Sequence, residues 1–115
     1  MVDFESLYRE YVQANFNDRL VIKSQIFKTL HEACTEFFRL YVPMYKMKEV
    51  SKFNFEESYV SVEYGSFYNS LTLKLEDVSW NEFVEGKVKT DTDARLHNIL
   101  IVKPKQIGEI TLESI

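Results

Sequence analysis

Cysteine occurs once, at Cys34, so no intrachain disulfide can form. There is no Asn-x-Ser/Thr sequon. The opening Met1-Val2-Asp3-Phe4-Glu5 carries neither a basic region nor an apolar run, which is not the pattern of a signal peptide. Uncharged apolar stretches fall far short of the ~20 residues that span a bilayer. A cytoplasmic protein in a reducing compartment, with no membrane association, is therefore expected. Glycine is scarce, at three residues, and proline scarcer, at two. Such a chain has little raw material for a phosphate-cradling loop, and GxGxxG, GxxxxGK[ST] and GxSxG are all missing. Low complexity and disorder are disfavoured for the same reason. Basic excess is also missing. The net charge of −4 argues against a duplex-wide phosphate footprint, although a local basic face remains open.

What the chain does have is apolar material. Of its 115 residues, 45% are hydrophobic, with nine Phe and seven Tyr. One domain of this length can bury a core without disulfides or metal. Phe4, Leu7, Tyr8, Tyr11 and Val12 share one helical stripe, and Asp3 is placed to cap it. A stronger helix comes next. Ile26, Phe27, Leu30, Cys34, Phe37, Phe38 and Tyr41 lie on one face, and Pro43 terminates it. Its start is open: Asp18 and Ser24 are both candidate caps, and Leu20-Val21-Ile22 is either its first turn or an apolar connection. Phe27, Leu30, Phe37 and Phe38 are expected to be nearly buried against Val62, Leu73 or Leu100.

Beyond Pro43 the period changes from 3.6 to 2. Phe53 and Phe55 alternate with polar residues, as do Val60, Val62 and Tyr64, then Leu71, Leu73 and Leu75. The last two runs flank a turn-rich stretch, 65–70, and predict an antiparallel hairpin. Ser79-Trp80-Asn81-Glu82 fits a capping box, with Gly86 at the expected C′ position, which predicts a short helix. Residues 96–103 predict a strand covered on both faces, and 108–114 a final strand. The expected architecture is one α+β domain over 1–115. Its two N-terminal helices pack on one face of a mostly antiparallel sheet of four to five strands, with a short helix inserted between strands.

Several groupings invite a chemical reading. Cys34 with His31 or His97 would make a nucleophile–base pair, but Cys34 lies on the apolar stripe, where a thiol behaves as a small hydrophobe. The same three residues, with a carboxylate as the fourth, could ligate a metal. No CxxC, HExxH or second Cys pair supports a closed zinc site, however, and a rim histidine beside a core cysteine is the expectation. Asp91 and Asp93 resemble the start of a calcium loop, yet Leu96 and Val102 stand where the loop needs Gly and Glu. Glu56-Glu57 and Glu76-Asp77 are adjacent carboxylates, and adjacent strand residues point to opposite faces. No catalytic residue, metal or cofactor is assigned.

Two groupings suit binding. Phe67 and Tyr68 fall in the predicted hairpin loop, where two adjacent large aromatics do not both turn inward easily. Arg39, Tyr45, Lys46, Lys48 and Lys52 interleave basic and aromatic residues, which suits single-stranded nucleic acid. The bland alternatives are a loop that folds over the sheet end and an ordinary solvated connection. The expectation is a non-enzymatic protein-binding module of inhibitor, immunity or secretion- or assembly-chaperone type, acting through Phe67 and Tyr68 as a monomer or homodimer. A nucleic-acid-binding accessory protein using segment 39–53 is the alternative, ahead of a small-ligand or enzymatic cleft between helices and sheet.

Overall fold

A computed structural model of the chain describes residues 3–65, 69–89, 95–96 and 98–104. Asp3 caps helix α1 (Phe4–Gln13), accepting hydrogen bonds from the amides of Glu5 and Ser6. The stripe read from the sequence faces inward at Phe4 and Leu7, which are buried. Two residues later α2 (Phe16–Tyr41) begins. Its cap is neither Asp18 nor Ser24 but Asn15, whose side chain accepts from the Asp18 amide. The helix therefore starts ahead of both expected caps, and Leu20-Val21-Ile22 is helical. The apolar pattern concealed this start because Asn15, Asn17 and Asp18 read as an interruption. An N-cap and first turn favour such polar residues. The end before Pro43 is as expected.

Three strands follow: β1 (Met47–Asn54), β2 (Tyr59–Tyr64) and β3 (Asn69–Leu75). β1 pairs with β2 and β2 with β3, both antiparallel. The predicted hairpin is present, with β3 starting at Asn69, inside the stretch read as a turn. Between β1 and β2 the chain reverses on Ser58, a non-glycine residue at φ 56°.

Helix α3 (Trp80–Val84) is capped by the Ser79 side chain, which accepts from the Glu82 amide. It ends in a Schellman motif. Gly86 takes φ +70°, its amide donates to the Phe83 carbonyl, and the Lys87 amide donates to the Glu82 carbonyl. Two short strands complete the described sheet: β4 (Arg95–Leu96) and β5 (Ile99–Val102). The sheet order is β1-β2-β3-β5-β4. β5 runs parallel to β3, because the chain crosses over through α3 rather than turning back directly.

The continuous strand expected over 96–103 is instead an antiparallel β4–β5 pair with Asn98 in a turn. It is also not covered on both sides. Leu100 and Val102 are buried, whereas Ile99 is exposed. Its unbroken apolar run reflects one buried face and an outer face on which Ile101 is half-buried and Ile99 exposed. The stretch 108–114 lies outside the described residues.

All three helices contribute to one core with the inner face of the sheet. Phe4, Ile26, Leu30, Cys34, Phe37 and Phe38 meet Val50, Val60, Val62, Leu71, Leu73, Leu100 and Val102. Leu30, Phe37 and Phe38 are buried as expected, but Phe27 is only partly so. Its ring meets the edge of Phe53 at 5.0 Å, on the outermost strand rather than at the sheet centre. A second aromatic group locks α1 to α3: Phe55 lies 5.3 Å from Phe4 and 5.1 Å from Trp80. Polar contacts reinforce that junction. The Asn81 side chain donates to Asp3 at 2.8 Å and accepts from the Glu5 amide at 3.1 Å. The Asn81 bond, and after it the bonds from the hydroxyl and amide of Ser6, hold the Asp3 carboxyl well below its ordinary range, at about 2. Among the described residues no helix is long and apolar enough to cross a membrane.

Candidate functional site

The length of α2 sets up the most unusual surface. At 1.5 Å per residue, its 26 residues run about 39 Å. The six residues of β2 extend only about 20 Å. The helix therefore outruns the strands it packs on. Positions 16, 20, 27, 34 and 38 share one stripe of α2 by helical spacing. Cys34 and Phe38 are buried under the sheet, and Phe27 is half-buried at its edge. Phe16 and Leu20 continue the stripe but are 75% and 53% exposed. Val12, on the last turn of α1, and Val21 are exposed as well.

The elbow between the helices is pinned. Arg19 donates from Nε to the Tyr11 carbonyl at 3.2 Å and from Nη2 to the Val12 carbonyl at 3.1 Å. A cation thus satisfies the free carbonyls at the C-terminus of α1, where the helix dipole also favours it. The same guanidinium lies 5.3 Å from the Tyr11 ring centroid. Asn15 closes the other side as the cap of α2. Apolar side chains are presented on a backbone held from both directions.

Phe67 and Tyr68 lie outside the described residues; the strands that lead into their loop form as expected. The basic-aromatic segment is divided by the structure. Arg39, Tyr45 and Lys46 come together around a shallow hollow of about 300 Å³ beside Phe38 and Pro43. Here the Tyr45 ring is 4.6 Å from Tyr64, and Arg39 donates from Nε to Glu36 at 3.0 Å. That bond lowers the Glu36 carboxyl and raises the Arg39 guanidinium from their ordinary values. Lys48 is exposed on β1. Lys52, six strand residues beyond Lys46 and so about 20 Å along the chain, borders a different cleft.

That cleft lies between the helices and the β1 edge, encloses about 440 Å³, and gathers Tyr8, Tyr11, Phe27, Phe53 and Phe55 with Lys23 and Lys52. Several of its rings are already engaged. Tyr8 stacks on Phe55 at 3.9 Å, and Phe53 meets Phe55 edge-on at 4.9 Å.

Cys34 is fully buried, and burial pushes its thiol up to about 12. It is therefore a protonated core side chain rather than a nucleophile at neutral pH. His31, one turn away, is exposed, so the two do not share an accessible face. His97, Asp91 and Asp93 lie outside the described residues. The α2 stripe read from the sequence leaves out Phe16 and Leu20 and gives them no binding role, although extending the seven-residue spacing back from Cys34 through Phe27 reaches Leu20. Comparison of the chain with protein-family models, curated proteins and solved structures gave no match.

Proposed function

We propose that this chain is a non-enzymatic module that docks to a protein partner through the α1–α2 elbow. One observation carries the reading: the core stripe of α2 continues past the sheet as exposed Phe16 and Leu20, on a backbone pinned by Arg19 and Asn15. Clustered apolar exposure on a domain of this size is a mark of interaction surfaces. A backbone held in place before binding reduces the ordering cost of association. Inhibitor, immunity-type and assembly-chaperone roles all suit such a surface, and a cytoplasmic location fits the single cysteine. Phe67 and Tyr68, between β2 and β3 in sequence, are a second proposed contact.

A photo-crosslinking residue placed at position 16, with position 28 on the polar side of the helix as control, tests the elbow in the native cell. A discrete protein adduct at 16 and none at 28 is expected. Equal adducts at both positions, or none at either, overturn the elbow as the docking surface. Sedimentation of the purified chain separates a foreign partner from a second copy.

A second reading, single-stranded nucleic acid, draws on the cleft where Lys23 and Lys52 border five aromatic residues. It requires retention on single-stranded nucleic acid that weakens steeply with salt and is reduced by Lys23→Ala or Lys52→Ala.

A further inference from the structure

A groove between α2 and α3 is separate from the elbow and shares none of its residues. The groove encloses about 410 Å³, with Phe37, Leu40, Tyr41, Phe83, Val84 and Val88 among its lining. Along α2 it extends from Thr29 to Tyr41, a rise of about 18 Å, or three helical turns. The facing wall is α3 and the turn after it. That wall is fixed by the Schellman motif at Gly86 and by the Tyr41 hydroxyl, 3.5 Å from the Val88 carbonyl it donates to. Phe37 ties the two walls together, 5.8 Å from Phe83 and 4.9 Å from Tyr41.

Among the described residues, every charged side chain lining the groove is acidic: Glu32, Glu36 and Glu85. Their cationic neighbours stand outside the lining, Arg39 on Glu36 and Lys87 on Glu85. Arg39–Glu36 is a surface ion pair, and in Lys87–Glu85 the lysine is exposed while the glutamate is partly covered. Pairs with an exposed cation hold weakly and can exchange for an incoming one. Leu40 on the groove is half-exposed, and Met44, in the turn beyond the end of α2, is 87% exposed.

We propose that this groove receives an amphipathic cationic protein segment. Apolar side chains at helical spacing would occupy the floor, and flanking Lys or Arg would meet Glu32, Glu36 and Glu85. The length suits about three turns of helix, the mode in which grooves read i, i+3/i+4 and i+7 anchors. The chain's own residues 105–115 are poor candidates by charge, because they carry two glutamates, Glu109 and Glu113, against the one Lys105. A second copy is the remaining alternative.

The test is fluorescence anisotropy with a labelled peptide of about four helical turns, bearing Leu at i, i+3 and i+7 with flanking Lys. Its controls are the same peptide with Glu for every Lys and one with the same composition in scrambled order. The full chain is expected to bind the Lys peptide at least about tenfold more tightly than either control, with the preference shrinking in high salt. Glu32→Lys with Glu85→Lys should weaken the Lys peptide by about tenfold or more and leave the melting temperature in place, because Glu32 and Glu85 are surface groups. Val84→Asp probes the floor, and its fold is checked by circular dichroism. Equal affinity for all three peptides, no binding at all, or binding indifferent to the glutamate reversals overturns the proposal. So does a dimer of the wild-type chain that the same reversals dissolve, since the occupant would then be a second copy.

Discussion

Helix α2 contains its own control. Its C-terminal half, from Ile26 to Phe38, and its N-terminal half, from Phe16 to Ile22, carry the same apolar stripe. One half is buried beneath the sheet; in the other Phe16 and Leu20 stand in water, and Ile22 is the residue that reaches the core. Residue chemistry does not separate Leu20 from Leu30. What separates them is whether the sheet reaches that far. Hydrophobic stabilisation follows area removed from water, so identical side chains should differ severalfold in their worth to the fold.

Leu30→Ala is the largest expected effect, a loss of about 2–5 kcal/mol in denaturant melts, because a fully buried leucine leaves a cavity when truncated. A loss below about 1 kcal/mol would break the comparison at its covered end. Cys34→Ser comes next. It places a hydroxyl where the surroundings have driven the thiol to about 12, and the expected loss is about 1–3 kcal/mol. The native thiol should also resist alkylating reagents at neutral pH until the chain unfolds. Prompt labelling would show that the covered half opens readily.

The brace on α1 gives an effect of intermediate size, with a pH signature. The Asp3 carboxyl is lowered from 3.8 to about 2 by its bonds to Asn81 and Ser6. A depressed carboxylate stabilises the fold fully above its unfolded value, and that contribution is lost as pH falls towards the folded one. Between about pH 4 and pH 2 the α1–α3 junction should therefore loosen. Asn81→Ala should lower the melting temperature by a few degrees at neutral pH and flatten this acid dependence. An unchanged acid profile in the variant would show that the Asp3–Asn81 bond does not fasten α1.

Much of the covered half was legible in the sequence. The 3.6-residue period located Leu30, Phe37 and Phe38, and the period of two located Val60, Val62, Leu71 and Leu73, because a core imposes its geometry on residue spacing. Ser79 and Gly86 announced α3 through capping chemistry that is local in sequence. The overhang was illegible for a physical reason. Periodicity reports which residues share a face, but not whether another element covers that face. Phe16 and Leu20 are therefore indistinguishable by pattern from core residues. The same blindness affected Phe27, whose spacing is that of a central residue while its neighbour is the edge strand. The α2–α3 groove was hidden too, since Glu32 and Phe83 are far apart in the chain and only packing brings them to one cavity.

The smallest expected effect tests the uncovered end most sharply. Leu20→Ala and Phe16→Ala remove large side chains, yet both are already mostly in water. Truncating them leaves no cavity, and alanine is the better helix former at either position. The stability change should stay within about 0.5 kcal/mol. Backbone protection gives the complementary readout. Amides of 16–22 should exchange faster than those of 26–38, because fewer buried contacts oppose local opening there. Arg19→Ala should widen that gap by freeing the carbonyls of Tyr11 and Val12. If Leu20→Ala instead costs as much as Leu30→Ala, the elbow is covered in solution by an element that the described residues do not include. If stability holds while partner capture at position 16 is lost, the two halves of one stripe have been assigned different work, one to folding and the other to docking.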